Sequence, residues 1–361
     1  MPSRPSQTPQ PELLIGGQAL IEGVMMRSPG AYGIAVRRTD GSIALRRGKV
    51  DSIARRFPIL KLPILRGIAV LFQSLAIGIR ALNWSAEVAT APEAAALQGL
   101  PEPATESVPQ GAGEQKNGEQ KAGAAIAGAM AFGLVLGAAI FLLLPLWLTG
   151  LVERHLFGHL SNLGFNLVDG GFRSLFFLGY IFAISRLPDI HRVFMYHGAE
   201  HKVVFNWESG EPLTPAHAQA KSRLHPRCGT SFLLFVLLLS ILLFALIPKT
   251  APFLVKFGGR LLLVPLVAGL SYELLRFSAS RRAAPLFALL VAPGLALQRI
   301  TTQEPTDDML EVAIAALEAA LREDGLLPEV PGADAGNAGN GGREPSLAGE
   351  GHPAVAAVAT V

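Results

Sequence analysis

The chain has 361 residues, of which half are hydrophobic and only 16% are charged. Soluble domains carry about 25% charged residues, so this composition favours a membrane protein over an ordinary soluble enzyme. The single cysteine cannot form an intrachain disulfide. The net charge of +3 hides a basic N-terminal part, since residues 1–83 carry twelve Lys or Arg against four acidic residues, which is +8. We interpret this excess as attraction to anionic lipid headgroups at a cytosolic membrane face, and we expect no nucleic-acid partner.

The basic N-terminal segment, residues 1–57, divides into a glycine-rich stretch and a hairpin. The stretch 14–30 mixes apolar residues with four glycines. By spacing alone it is a turn-rich lead-in, and the alternative is that Gln18 or Glu22 reaches a functional site. Residues 32–49 alternate apolar with smaller or polar residues around an Asp-Gly pair. This alternation predicts a β-hairpin.

Residues 58–84 are apolar but carry Arg66, Gln73 and Arg80 at a spacing of seven, which places the three on one face of a helix. An arginine costs roughly 3 kcal/mol at a bilayer centre. The pattern therefore favours an amphipathic helix in the membrane interface, with a tilted span as the alternative. The next stretch, 85–122, has no apolar periodicity, and we expect a disordered linker.

A transmembrane domain is predicted over residues 123–300. Membrane-spanning helices are expected at four apolar runs, namely 124–148, 172–187, 230–247 and 261–275. The apolar run 285–297 is shorter and contains Pro-Gly, which fits a re-entrant or interfacial piece. Lys and Arg are concentrated between the second and third runs. An even number of crossings then places both termini and a histidine-rich polar loop domain, 188–229, in the cytosol.

A cytosolic amphipathic helix is predicted within residues 301–325. Acidic residues follow Thr306, as is typical of a helix start. One apolar stripe contains Leu310, Ile314, Leu317 and Leu321. We expect the helix at 307–323 to pack on the loop domain or on a partner protein. The remainder, 326–361, is rich in Gly, Ala and Pro and is expected to be a disordered tail.

The first candidate site is the H-x-x-E-H pattern His197-Gly-Ala-Glu200-His201. On a helix the two histidines lie one turn apart on the same face, close enough to bind one zinc ion. In zinc peptidases with this motif the glutamate is a general base, which makes Glu200 the candidate catalytic residue. The pattern is short, however, and these offsets also arise by chance.

A second cluster, His225-Pro-Arg-Cys228, has the spacing of a metal-binding turn. If His197, His201, His225 and Cys228 all bind, a tetrahedral zinc ion is fully coordinated and the metal is structural. If Cys228 stays out, three histidines leave an open position for catalysis. The alternative without a metal has hydrogen-bonded histidines packed at the membrane surface and Cys228 as a small buried hydrophobe.

These residues support two hypotheses of different classes. A metal-dependent hydrolase would use Glu200 to activate water and Arg227 to stabilise an anionic intermediate. A non-enzymatic scaffold or assembly factor would use the metal to stabilise a cytosolic platform, with the 307–323 helix recruiting membrane or cytosolic proteins. A transporter is less favoured because the charged residues cluster in the loop and not within the predicted spans.

Three motifs resemble the YqhQ-like family of bacterial multi-pass membrane proteins, at residues 16–27, 196–202 and 224–232. The family is of unknown function and is described as predicted metal-dependent enzymes. The resemblance covers roughly residues 14–322, apart from the linker.

The residues and the resemblance together predict a mainly α-helical polytopic protein of the bacterial plasma membrane, surrounded by lipid and carrying a divalent metal ion. The N/S ligand set indicates zinc. The resemblance also implies that residues 16–27 are a family signature and not a lead-in. Gln18, Glu22 and Arg27 therefore join the candidate site residues.

Overall fold

The computed structural model describes residues 15–50, 57–90, 128, 131–280 and 285–328, apart from the side chains of 278–290. These residues form one four-stranded antiparallel sheet and a set of helices. Most of the predicted linker and tail, from 91 and from 329 onward, lies outside the described residues.

The sheet has strand order β1-β2-β3-β4, with each strand antiparallel to the next. Its strands are Gly16–Leu20, Gly23–Arg27, Ala31–Arg37 and Ile43–Lys49. The last two strands are the hairpin that the alternation predicts, paired from Arg37 opposite Ile43 to Ala31 opposite Lys49.

The stretch expected to be a lead-in instead forms β1 and β2, and burial on both faces of the sheet explains why its pattern is not alternating. Val24 and Met26 of β2 point into one core, whereas Met25 points into another on the opposite face. A strand that is covered on both faces shows a continuous apolar run, which by itself does not identify a strand.

One face of the sheet is covered by two helices, α4 (Pro188–Glu208) and α9 (Asp307–Glu323). The apolar stripe predicted for α9 is buried in this core. Gly33 allows α9 to approach closely, because a Cβ there would lie 2.3 Å from the Ala316 carbonyl oxygen. We call β1–β4, α4, the short helix α5 (Pro215–Gln219) and α9 the sheet module.

The histidine-rich segment, predicted as a polar loop domain between two spans, is mostly helix. Pro188 occupies the first turn of α4, where the missing N–H costs nothing, and Asp189 lies at the positive helix end. Gly210 follows the helix with φ +70°, a conformation that glycine adopts without steric cost. The segment lacks an apolar stripe because its buried face carries polar residues, including Glu200 and His201.

The opposite face of the sheet is covered by α1 (Leu65–Thr90). Its C-terminal half packs Ala81 and Val88 against Leu20, Met25 and neighbouring sheet residues. This helix extends six residues beyond the predicted end at 84, into the range expected to be linker. Apolar packing on the sheet orders these residues, and their own sequence does not reveal that contact.

The N-terminal half of α1 contacts the long apolar helix α7 (Phe253–Ser280). The contact is close at paired glycines, since a Cβ on Gly67 would lie 2.9 Å from the Gly269 carbonyl oxygen. By length and composition alone, α1, α2 (Ala131–Phe157), α3 (Asn162–Ile184) and the stretch Phe253–Phe277 of α7 could each cross a membrane.

The described fold also contains a 3₁₀ helix, Pro58–Lys61, and two further α-helices, α6 (Gly229–Phe244) and α8 (Pro285–Thr301). The predicted third span therefore corresponds to a helix of only 16 residues. The helix at the predicted second span, α3, begins ten residues before the predicted apolar run. Asp169 and Arg173 in the first half of α3 interrupt its apolar pattern, but they pair with each other inside the fold.

Candidate metal centre

Three side chains could hold a metal ion, namely His197, His201 and Cys228. The two histidines lie one turn apart on α4, and Cys228 is the residue that precedes and caps α6. Their ligand atoms all lie within 4.8 Å of one another. A helix of the sheet module and the start of an apolar helix therefore meet at this cluster.

Backbone carbonyls select the same tautomer in both histidines. Nδ1 of His197 lies 2.8 Å from the Thr301 carbonyl oxygen, and Nδ1 of His201 lies 2.6 Å from that of Arg223. A carbonyl oxygen only accepts, so each Nδ1 carries a proton, and the tautomer selected in this way has its lone pair on Nε2. Such a hydrogen bond behind the ring is usual for metal-binding histidines.

The Nε2 atom of His201 is buried and has no partner at ordinary hydrogen-bond geometry among the described residues, and the group nearest to serving as one is the Cys228 thiol. Burial lowers the pKa of His201, which keeps the ring neutral and its lone pair available. An acceptor in this position fits a metal ligand better than a packing residue, because a buried polar atom without a partner is costly.

The sulfur of Cys228 lies where negative charge is favoured. It accepts hydrogen bonds from the Thr230 backbone N–H at 3.4 Å and the Thr230 hydroxyl at 3.3 Å. It also lies at the positive end of α6. Nε2 of His197 is 3.2 Å away and, in the tautomer described above, can accept the thiol proton of Cys228. A bound metal would displace that proton, since thiolate is the metal-binding form.

Gly198 lies between His197 and His201 on α4 and allows the backbone near Thr301 to approach this helix. A Cβ at this position would lie 2.0 Å from the Gln303 carbonyl oxygen. The Gln303 N–H also donates to the Phe194 carbonyl at 2.9 Å. The glycine therefore permits the backbone contact that brings the Thr301 carbonyl to His197.

His225, the fourth predicted ligand, lies beside the cluster but outside the group of three. Its Nδ1 accepts from the Arg227 backbone N–H at 3.2 Å, and its Nε2 lies 3.6 Å from a Glu208 carboxylate oxygen. This is the opposite tautomer to that of the two α4 histidines. Gln298 holds its backbone, accepting from His225 N at 2.8 Å and donating to His225 O at 2.9 Å.

The candidate catalytic residue Glu200 is 6% exposed and lines a small pocket beside the cluster. The Gly17 backbone N–H donates to its carboxylate at 2.7 Å. Burial raises the pKa of Glu200, against the opposing effects of the nearby His197 and this hydrogen bond. Other residues lining the pocket include His201, His225, Arg227 and Cys228. Arg227 is ion-paired with Glu208.

The other three predicted site residues join elements of the fold and do not line this pocket. Gln18 packs on Gly78 of α1, and Arg27 donates to the Ser74 hydroxyl at 2.8 Å, also on α1. Glu22, which has a φ of +52°, is ion-paired with Arg192 of α4.

Gly16 and Gly17 of the 16–27 signature line the pocket, and sequence reasoning missed both. Gly17 is the one that contacts Glu200. It acts through its backbone N–H, and a Cβ there would lie 3.1 Å from Glu200 side-chain atoms. The carbonyls of Thr301 and Arg223 were missed for the same reason. Every residue has the same backbone groups, so the sequence does not show which of them will bond a functional side chain. A glycine is the one signal, because it lets the backbone approach another group closely.

A family profile described as "Protein of unknown function (DUF1385)" matches residues 62–323, and the three ligand residues lie within that range. The chain belongs to the DUF1385 family. A relative of this chain, "Uncharacterized protein YqhQ" of Bacillus subtilis (strain 168), is 36% identical over 311 residues, which is 86% of this chain and 93% of the relative. No solved structure matches significantly.

The DUF1385 match begins at residue 62, after the four strands, whereas the ligands and Glu200 lie inside it. The two carbonyl contacts to the candidate metal-binding histidines come from residues 223 and 301, also inside it. The matched part of this DUF1385 chain therefore contains the whole three-residue cluster and its supporting carbonyls.

Proposed function

We propose that this chain is a metal-dependent hydrolase of the bacterial inner membrane, with a zinc-type metal bound by His197, His201 and Cys228. The carrying observation is that three ligand atoms lie within 4.8 Å of one another beside a pocket that also contains buried Glu200. Two imidazoles and a thiolate suit zinc better than magnesium or calcium. Three protein ligands leave one tetrahedral position for a substrate or water, as in catalytic zinc sites.

A bound zinc ion would supply a Lewis acid and make water a nucleophile near neutral pH. Glu200 would accept the proton that this water loses, and the Gly17 N–H holds its carboxylate in place at 2.7 Å. Arg227 would place positive charge on the pocket wall for an anionic intermediate. The absence of His225 from the ligand group favours catalysis over a closed, structural shell.

The proposed orientation places the metal centre at the cytosolic membrane surface. The C-terminal half of α1 packs on the sheet, so α1 fits the interface better than a full crossing. The crossings would then be α2, α3, α6 and α7. This even number agrees with the Lys and Arg bias, which puts both termini and α4 on the cytosolic side.

The alternative is a scaffold or assembly factor with a structural metal. The observation that favours it is the position of the cluster, since a metal would join α4 of the sheet module to the first residues of α6. The apolar stripe of α9 is buried. Partner proteins would therefore contact its exposed acidic residues, such as Asp307, Asp308 and Glu311.

The first experiment measures metal per protein in purified full-length chain. We expect about one zinc in the wild type, and at least a hundredfold lower affinity in His201→Gln and Cys228→Ser, roughly the upper end of what supporting residues alone contribute. His217→Gln, an exposed histidine on α5, is the matched control and should retain the metal. Wild-type protein without stoichiometric metal would exclude both functions.

The second experiment separates the two functions through Glu200→Gln. Purified protein would be screened with water-soluble and vesicle-borne esters, phosphoesters and peptides. The hydrolase proposal expects wild-type turnover that falls about 10²–10⁴-fold in Glu200→Gln while metal content stays normal. Turnover that survives this substitution would exclude Glu200 as the base, and a metal-loaded protein without turnover would favour the scaffold.

A further inference from the structure

A second buried polar cluster lies among the apolar helices. Asp169 and Arg173 are one turn apart on α3, with Arg173 Nε 2.9 Å from Asp169 Oδ2. Arg260 of α7 reaches the other oxygen, with Nη1 3.0 Å from Oδ1. The three side chains are 3%, 6% and 2% exposed, respectively. Full burial of three charged groups among apolar helices is costly unless their charges balance.

The charges in this cluster do not balance, because two guanidinium groups share one carboxylate. Nη2 of Arg173 and Nε of Arg260 are buried and make no hydrogen bond within the part of the chain that the structure describes. The Phe244 ring at the end of α6 lies 4.8 Å from one guanidinium carbon and 5.6 Å from the other. An aromatic face attracts cations but does not neutralise them.

One further cation, Lys256, continues the cluster toward the N-terminal ends of α3 and α7. Lys256 lies one turn before Arg260 on α7, half-buried, with Nζ 5.1 Å from the centre of the Phe165 ring. The neighbouring carboxylate of Glu153 is engaged by Lys249 at 2.7 Å. Lys256, Arg260 and Arg173 therefore form a row of cations, which we call the cation row. Among the described residues, Asp169 is the only carboxylate that pairs with any of them.

We propose that the cation row binds a phosphate-bearing anion between α3 and α7. Planar guanidinium groups donate two hydrogen bonds to a phosphate, and a lysine adds a point charge. Asp169 and Arg260 each lie seven residues inside their helix, which at 1.5 Å per residue is about 10 Å from the helix start. The phosphate of an anionic lipid and free inorganic phosphate share the chemistry that this position recognises.

The test uses full-length protein in vesicles of phosphatidylcholine, with and without added phosphatidylglycerol. Phosphatidylglycerol should raise the thermal unfolding midpoint of wild type by at least about 3 °C, because a ligand of the folded state stabilises it. Arg260→Gln should show no such rise. Arg186→Gln, an exposed arginine just beyond α3, is the matched control and should respond like the wild type.

The same measurement distinguishes binding from a structural ion pair. In phosphatidylcholine alone, Arg260→Gln should unfold no earlier than the wild type, because it removes the excess charge and leaves the Asp169–Arg173 pair. Unfolding that is earlier by the same amount in both lipid mixtures would overturn the proposal in favour of a purely structural role.

A third arm identifies the source of the phosphate. Inorganic phosphate added to the phosphatidylcholine vesicles stabilises the wild type only if the ligand is a small soluble anion. A response to phosphatidylglycerol alone assigns a lipid headgroup, and co-purified anionic lipid should then fall in Arg260→Gln. A wild type that responds to neither addition contradicts the proposal.

Discussion

The two buried polar clusters lie at opposite ends of one helix, α6, and have opposite chemistries. At its start, His197, His201 and Cys228 present lone pairs and a displaceable proton. Near its end, Arg173 and Arg260 present N–H donors in excess of the available acceptors. The first cluster is suited to a cation and the second to an anion. The side chains of each cluster therefore indicate the charge of the partner that the cluster lacks.

The largest expected effect comes from Asp169→Asn, which removes the only carboxylate paired with Arg173 and Arg260 among the described residues. Removing one partner of a buried ion pair costs about 3–5 kcal/mol. We expect an unfolding midpoint far below that of the wild type in phosphatidylcholine. Asp189→Asn, at the exposed start of α4, is the control and should change little.

Metal content tests whether the two clusters are independent of each other. They are separated by the 16 residues of α6, about 24 Å at 1.5 Å per residue. Folded Asp169→Asn protein should therefore bind zinc as the wild type does. Reduced zinc affinity in this variant would show that the clusters are not independent.

A second prediction concerns Gly198→Ala, which places a Cβ 2.0 Å from the Gln303 carbonyl oxygen. Backbone cannot move aside as a flexible side chain can, so overpacking should cost about 2–3 kcal/mol. The displaced Thr301 carbonyl would also weaken zinc binding by His197. Gly179→Ala on α3, where a Cβ meets no atom within 4 Å, should be neutral or stabilising.

A third prediction tests whether His225 is a ligand. Gln298→Leu leaves the buried His225 N–H and carbonyl without their Gln298 partners, which should cost about 1–2 kcal/mol in unfolding free energy. Zinc stoichiometry should remain that of the wild type in this variant and in His225→Gln. A loss of zinc in His225→Gln comparable to that in His201→Gln would restore the four-ligand site.

The smallest effect is expected at the surface of the sheet module. Arg37 bonds the Glu311 carboxylate at 3.0 Å and the Asp308 carbonyl at 2.7 Å, on the exposed side of α9. Exposed ion pairs contribute about 0–1 kcal/mol, so Arg37→Ala should lower stability only slightly and leave zinc binding unchanged. Denaturant midpoints measured at low and high salt would check this.

The local parts of the fold were predictable because the spacing of apolar and polar residues along the sequence indicates strands and helix faces. The β3–β4 hairpin has its alternation, α9 has its apolar stripe, and His197 and His201 fall on one helical face by their spacing. By contrast, β2 is buried on both faces and shows no alternation, so the two-strand extension of the hairpin was not predictable. The end of α1 was missed because only the sheet surface orders it.

By itself, the sequence determined which residue types were available, namely the two histidines one turn apart, the lone cysteine and the charges within the apolar part of the chain. Tertiary structure decided what those residues do. The Thr301 and Arg223 carbonyls set the tautomers of the α4 histidines, while Arg227 and Glu208 face the two nitrogens of His225. These contacts join backbone and side chains far apart along the chain, and no local pattern encodes such distances.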